Sequence, residues 1–273
     1  MCKKLSVYIQ FALSQKSVWL ASISLVNDAE KKRGAYVNKK LKYRHELKFM
    51  INQHQYFLIK QRLRNLVKQD EHVGDNGNYH IRSLYFDDMD NSALHDKLGG
   101  IRDRSKYRIR IYNGKDNVIH FEKKIKFNNF IAKLKEPLTR EMYNAILAGN
   151  YEVLRQPEKA FCMELYNELR HNLLRPKVIV DYVREPYVCH NGNVRITFDK
   201  ELRTGLHAID IFDSELKPVQ ALDNGLIILE VKYDEYLPEY IKAALQLEGL
   251  NQQSASKYVI CRKYLKTNSW EDY

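Results

Sequence analysis

Between Arg104 and Phe127 the chain alternates with a period of two over two consecutive segments, and this stretch limits the fold more than any other. In Arg104–Ile111 the even positions hold Arg, Lys, Arg and Arg, while Tyr107, Ile109 and Ile111 take odd ones. After a turn at Asn113-Gly114, His120, Glu122, Lys124 and Lys126 share one face, and Ile119, Phe121, Ile125 and Phe127 lie mainly on the other. Such alternation is the signature of strands with one apolar face, so the segment predicts a β-hairpin. A single hairpin of this kind reads equally well as a structure whose charged face meets water.

The pattern recurs along the chain. Tyr43 to Ile51 sets Arg44, Glu46 and Lys48 against Tyr43, Leu47, Phe49 and Ile51, and Asn52 then caps a helix carrying Tyr56, Ile59, Leu63, Leu66 and Val67. A strand follows at Tyr79–Asp87, then a short helix at Asn91–Leu98 ended by Gly99-Gly100. Beyond the opening hairpin, Phe130 to Lys135 reads as a strand that Pro137 ends. Helices are expected from Thr139 to Leu147 and from Glu158 to Leu174. A strand from Lys177 to Val188 turns at Asn191-Gly192 into Asn193–Asp199. Gly225–Asp234 is a further strand, a helix behind Pro238 runs through Leu247, and Ser254–Leu265 is the last helix. Roughly eight strands joined mostly by hairpins predict a largely antiparallel sheet with inserted helices, an α+β fold.

Charge narrows the function. The 273 residues carry a net +11, which points to an anionic partner: nucleic acid, a phosphorylated small molecule, polyphosphate or a membrane surface. Cys2, Cys162, Cys189 and Cys261 form no ligand spacing and read as reduced thiols of a cytoplasmic protein. No apolar run reaches the roughly 18 residues of a membrane span. Residues 1–40 differ from the rest: Phe11–Val26 is mildly apolar but broken by Gln15, Lys16 and Ser17, without a convincing cleavage site. They read as an upstream extension or loosely attached arm rather than a signal peptide, followed by a basic connector, Lys31 to Lys42.

The spacing Glu-x-Lys occurs on three separate strands, at Glu46/Lys48, Glu122/Lys124 and Glu230/Lys232, and Arg108/Arg110, Lys133/Lys135 and Arg195 extend the same kind of face. Solvated sheet faces usually also carry Thr, Ser, Gln and Asn. These polar faces are heavily Lys, Arg and Glu, and the opposite faces are aromatic and branched. That arrangement predicts a closed antiparallel barrel whose apolar side packs outward on helices and whose lumen is charged. Crowded cations in reduced dielectric repel one another until a polyanion fills the space. Arg suits forked phosphate contacts and Lys point-charge contacts, and carboxylates among them suit a divalent cation shared with phosphate oxygens. Such a set is the apparatus of phosphoryl transfer.

Seven segments in this order, RHELKF (44–49), SLYFD (83–87), SKYRIRIY (105–112), FEKKIKF (121–127), VRITFD (194–199), ILEVKYD (228–234) and SASKY (254–258), carry a family likeness. The sequence resembles the triphosphate tunnel metalloenzymes of the CYTH-like superfamily. It is most similar to their branch of VTC-type polyphosphate polymerases, the catalytic domain of the vacuolar transporter chaperone complex and its bacterial relatives. The likeness covers residues 41–266, leaving 1–40 as an extension and 267–273 as a tail.

The resemblance implies an antiparallel barrel forming a basic tunnel, with Mn²⁺ or Mg²⁺ as cofactor. It implies Lys257, Arg108, Arg110 and Lys124 as catalytic, and Lys48, Lys126, Lys133, Arg195, Lys232 and Ser256 as phosphate-binding. Glu230 is the implied main metal ligand, with Glu122, Glu46 and also Asp199 near it, and Ser256 and Lys257 are expected at a tunnel mouth. ATP and polyphosphate are the implied substrates, in the cytoplasm, with a membrane protein expected to take the product and no nucleic acid expected. One departure matters: hydrolytic and cyclase members tend to open with Glu-x-Glu-x-Lys, and here Arg44 stands at the first Glu position. That favours the polymerase branch. Two alternatives stay open, a triphosphatase acting on inorganic, nucleoside or thiamine triphosphate, and a non-catalytic polyanion or RNA binder. His45, His54, His80 and His120 make no ligand set, and the strand tyrosines are expected mostly in the apolar core.

Overall fold

The computed structural model describes residues 41–128, 130–246 and 249–267; the expected extension 1–40 and the end of the tail lie outside the described residues. The strands are β1 (Arg44–Ile51), β2 (Lys68–Gln69), β3 (Tyr79–Asp87), β4 (Arg104–Tyr112), β5 (Lys115–Phe127), β6 (Phe130–Leu138), β7 (Arg175–Cys189), β8 (Val194–Thr204), β9 (Val219–Gln220) and β10 (Ile227–Tyr233). The α-helices are α1 (Gln53–Leu63), α2 (Ser92–Leu98), α3 (Arg140–Leu147), α4 (Ala160–Arg170), α5 (Glu239–Leu245) and α6 (Lys257–Thr267).

Strand pairing closes on itself. The order β7-β3-β4-β5-β6-β1-β10-β8 returns to β7 through the β7–β8 pairing, and every ladder is antiparallel. The eight long strands therefore form a closed barrel in which each strand is paired on both sides, β6 with β1 over two residues only; β2 and β9 are two-residue additions. The α+β barrel expected from alternation is the observed fold.

Outward-facing apolar positions are covered by helices in two clusters. Leu84, Ile109 and Phe121 pack with Tyr143 and Ile146 of α3 and Leu165 and Leu169 of α4. Ile196, Phe198, Leu229 and Val231 pack with Tyr56 and Ile59 of α1 and Ile241 of α5. Local signals set these helices: Asn52 and Gln55 form a reciprocal capping box on α1, and the Thr139 side chain caps α3.

The lumen is not charged throughout. Val178 and Val180 of β7, Ile228 of β10 and Leu202 of β8 form a third apolar cluster with Tyr258, Val259 and Cys261 of α6. Ile228 shares its strand face with Glu230, so part of the lumen is packed with apolar side chains under the last helix.

Some boundaries differ from expectation for local reasons. Strand β6 continues through Pro137, because β1 pairs with β6 only at Ile131 and Phe130 and the proline sits on an open edge. Helix α4 ends at Arg170, short of Leu174, where Leu173 turns into the left-handed region at φ 51°. Helix α6 begins at Lys257, later than Ser254, because Gln252 bridges to Phe49 and the Gln253 amide donates to the Lys48 carbonyl at 2.8 Å. That extended stretch hangs the segment before α6 on β1.

Candidate active site

The even positions of β1, β4 and β5 and their partners on β8 and β10 surround a cavity of about 580 Å³. Fifteen Lys and Arg side chains line it against two carboxylates, Glu46 and Glu230. The strand register explains the convergence. Glu46 lies opposite Lys232 and Lys48 opposite Glu230 in the β1–β10 ladder, and Arg108 lies opposite Glu122 in the β4–β5 ladder. Residues two apart on a strand point the same way, so the Glu-x-Lys spacings deliver both signs to one surface.

Glu230 is the hub. Its Oε1 accepts from Lys48 at 2.9 Å and from Lys257 at 2.8 Å, its Oε2 accepts from Lys232 at 2.9 Å, and the Arg184 guanidinium lies 3.7 Å away. Burial opposes its charge, yet Lys232, Lys257, Lys48 and Arg184 hold the carboxyl well below the ordinary range. Glu46 pairs with Lys124 at 2.8 Å and shares Lys232 and Lys48 with Glu230, at 3.5 and 3.8 Å. Its carboxyl too is held down against burial by Lys124, Lys48 and Lys232.

A second tier of acids sits behind the wall. Asp199 grips Arg184 in a forked pair at 2.6 and 2.7 Å and also touches Lys257. Glu122, with no exposed surface, takes Arg108 at 2.8 and 2.6 Å on one oxygen and Lys133 at 2.8 Å on the other. Neither of these acids lines the cavity. Buried carboxylates with both oxygens engaged orient cations, and Asp199 and Glu122 do this for Arg184, Arg108 and Lys133.

All ten side chains implied as catalytic or phosphate-binding line this one cavity. Lys257 is not simply at a mouth: it is 7% exposed and clamped between Glu230 and Asp199, a position that raises its pKa despite burial. Of the implied metal ligands, Glu46 and Glu230 face the cavity and Glu122 lies behind it.

Several site residues were missed. Arg184 and Tyr182 lie on β7, which is buried on both faces and so gives no period-two contrast. Lys97 comes from the short α2, and Lys106, though on the charged face of β4, was not assigned a role. The tyrosines require a correction. Of the strand tyrosines, Tyr79, Tyr85, Tyr112 and Tyr182 line the cavity, as does Tyr258 of α6, whereas Tyr107, Tyr187 and Tyr233 pack in the outer apolar clusters as expected. The phenols in the cavity serve the cations: Tyr85 accepts from Arg108 at 2.8 Å, Tyr182 from Arg110 at 3.1 Å and Tyr79 from Arg195 at 3.1 Å. Lys257 sits over the Tyr182 ring at 4.9 Å.

The donor set fits a divalent cation of the hard type. Among the described residues no three His, Cys, Asp or Glu side chains converge on a protein-only cage. Glu46 and Glu230 face one space and share two lysines, so one or two carboxylates plus phosphate oxygens is the coordination they can offer, as Mg²⁺ sites on phosphate substrates commonly use. Two buried polar atoms on the lumen face of β8, Arg195 Nε and Thr197 Oγ1, have no hydrogen-bond partner, which leaves donors for a ligand.

Among solved structures the barrel is similar to a Hippeastrum protein described as having a dominant triphosphatase activity, at 15% identity and TM-score 0.47, over 81% of this chain and 95% of that one. It is also similar to a Bacillus halodurans protein named for adenylate cyclase, at 13% identity and TM-score 0.44, over 76% and 87%. A Pyrococcus horikoshii protein shares 15% identity at TM-score 0.41, over 81% and 98%. No curated protein matches the chain. The family model described as the VTC domain matches residues 43–266, all the strands and the cavity they enclose, and the chain belongs to the VTC domain family.

Proposed function

We propose that the chain is a polyphosphate polymerase that moves the γ-phosphate of ATP onto the end of a polyphosphate chain, with a divalent cation, inside the barrel. The observation that carries this reading is the charge of the cavity: fifteen cations face two carboxylates in a closed lumen, in a chain of the VTC domain family. The acids behind the wall pair only some of these cations, and a bound polyanion relieves the remaining excess.

A terminal oxygen of the acceptor chain attacks the γ-phosphorus, the bond from that phosphorus to the β,γ-bridging oxygen breaks, and ADP leaves. The acceptor is already an anion, so no side chain need remove a proton. Arg108 and Arg110, fixed by Glu122, Tyr85, Ser83 and Tyr182, present forked donors to phosphate oxygens. Lys257, Lys48 and Lys232, arrayed on Glu230, and Lys124, on Glu46, supply point charges around the transferring group. Glu230 and Glu46 are the residues that would hold Mn²⁺ or Mg²⁺, which supplies neutralisation of charge on the phosphates. Lys126, Lys133, Arg195 and Ser256 hold other phosphates along the cavity.

Two observations weigh against the alternatives. Arg44 lines the cavity and donates to Asp234 at 2.8 Å, so the first strand offers one carboxylate where a hydrolytic site has two. The lumen tyrosines are 1 to 8% exposed apart from Tyr112, so their ring faces are not free to stack on RNA bases. Since ATP is the donor, the proposal includes a cytoplasmic setting and a membrane partner that receives the chain. Among the described residues no helix is long and apolar enough to cross a membrane. The test is incubation with ATP and Mn²⁺ or Mg²⁺, with products resolved on a gel. A ladder of acid-labile chains supports the proposal, and orthophosphate alone turns it into a triphosphatase.

A further inference from the structure

One rim of the barrel carries apolar side chains that none of the three cores absorbs. Leu98 at the end of α2, Ile101 in the loop leading into β4, Phe127 at the end of β5 and Phe130 at the start of β6 are 37 to 55% exposed. The structure ties these segments together. Phe127 and Phe130 are cross-strand partners, and Arg104 lies opposite Lys126 beside them. The Asn128 amide donates to the Asp103 carboxylate at 3.3 Å, joining the β5–β6 turn to the loop before β4. The Arg104 guanidinium donates to the Ile101 carbonyl and holds that loop against its strand.

Cations stand between the apolar groups. Lys97 precedes Leu98, Arg102 follows Ile101, and Lys126 precedes Phe127. Arg102 is exposed and lies outside the cavity lining, while Lys97, Arg104 and Lys126 stand where the cavity opens. The acids of the rim are Asp96 and Asp103, two against these four cations; Asp88 and Asp90 precede α2, at its opposite end. The local potential is positive: after burial, Arg104 does most to lower the Lys97 and Lys126 ammonium groups.

Apolar groups scattered singly over a surface need no partner, whereas these four share one rim. Apolar side chains interleaved with cations suit the surface of a membrane. The apolar groups enter the boundary between headgroups and acyl chains, and the cations meet lipid phosphates. A second copy of the chain fits less well, because a two-fold contact would set this cationic rim against itself. We propose that Leu98, Ile101, Phe127 and Phe130, with Lys97, Arg102, Arg104 and Lys126, dock the barrel on a bilayer that contains anionic lipid. Such docking is independent of the chemistry the lumen performs.

The experiment is co-sedimentation of the full chain with vesicles of phosphatidylcholine alone and of phosphatidylcholine with about 30% phosphatidylglycerol, at about 0.1 M salt. The wild type partitions onto the anionic vesicles and stays in solution with the neutral ones. An Ile101→Ser/Phe127→Ser double variant binds the anionic vesicles about tenfold or more weakly, and Arg102→Glu weakens binding in the same direction. Phe57→Ser, which removes an equally exposed aromatic from α1, leaves binding unchanged. Unchanged melting temperature and tripolyphosphate affinity show that the barrel of each variant is intact. A wild type that ignores anionic vesicles overturns the proposal and leaves the rim to a protein partner. Undiminished binding by the double variant, or an equal loss in Phe57→Ser, overturns it as well.

Discussion

Lys257 Nζ lies 2.8 Å from Glu230 Oε1, joining the first residue of the last helix to the middle of β10 inside the barrel. Both side chains are buried, and the same carboxylate holds Lys48 and Lys232. Glu230 therefore neutralises cations that would otherwise repel one another in a shielded space.

Glu230→Gln leaves those lysines without their counter-charge. Breaking a buried pair on one side costs about 3–5 kcal/mol, so the melting temperature falls. Metal-dependent turnover is lost by about 100-fold or more. Tripolyphosphate then raises the melting temperature of the variant more than that of the wild type, because the ligand replaces the missing charge by mass action. Thermal melts with and without ligand check this; normal turnover in the variant removes the metal assignment.

Binding should take up protons. Burial and neighbouring cations push Lys106 down to about 6, and burial, opposed by Glu46, leaves Lys124 at about 7. A bound polyanion favours the charged form of each, so it raises both values and affinity falls as pH climbs above them. The phosphate chain titrates too, and Lys106→Arg isolates the lysine term: the arginine variant shows the shallower loss of tripolyphosphate affinity from pH 6 to 9. Equal slopes contradict this.

The same depression costs stability without ligand. Lys106 has a folded value of about 6 against an ordinary 10.5, so between those limits the unfolded chain binds more protons. Stability from this group thus rises with pH through that window. Lys106→Met removes the penalty and raises the melting temperature at pH 7 by about 2–4 °C per kcal/mol relieved, while weakening polyphosphate binding. A lower melting temperature contradicts it.

Asp87 couples two helices through one carboxylate. Asp87→Ala removes a cap worth about 1 kcal/mol from α2 and releases the Tyr258 hydroxyl of α6. Hydrogen exchange should quicken in α2 and α6 together and leave α1 unchanged; a response confined to α2 denies the coupling.

Alternation made most of the barrel legible, because β1, β4, β5 and β10 each set charge against apolar residues at period two. It failed where both faces are buried. In β7, Val178, Val180, Tyr182 and Arg184 share the lumen parity, yet buried Ile179 and half-buried Val183 on the other face are just as apolar. Glu122 was legible as a lumen-side acid, but its cover by Arg108 and Lys133 depends on side-chain reach across β4 and β6. Lys97 had no local signal, since its place follows from the tie between Asp87 and Tyr258. The apolar filling under α6 was hidden for the same reason as β7: Ile228 reads as one more strand hydrophobe until the helix is seen against it.

The most direct test gives the protein γ-labelled ATP, Mg²⁺ or Mn²⁺ and a preformed polyphosphate primer, and follows the label. Transfer inside the lumen predicts label at the ends of lengthened chains, with one ADP released per phosphate added. Label found only in orthophosphate, or ATP left untouched, contradicts it.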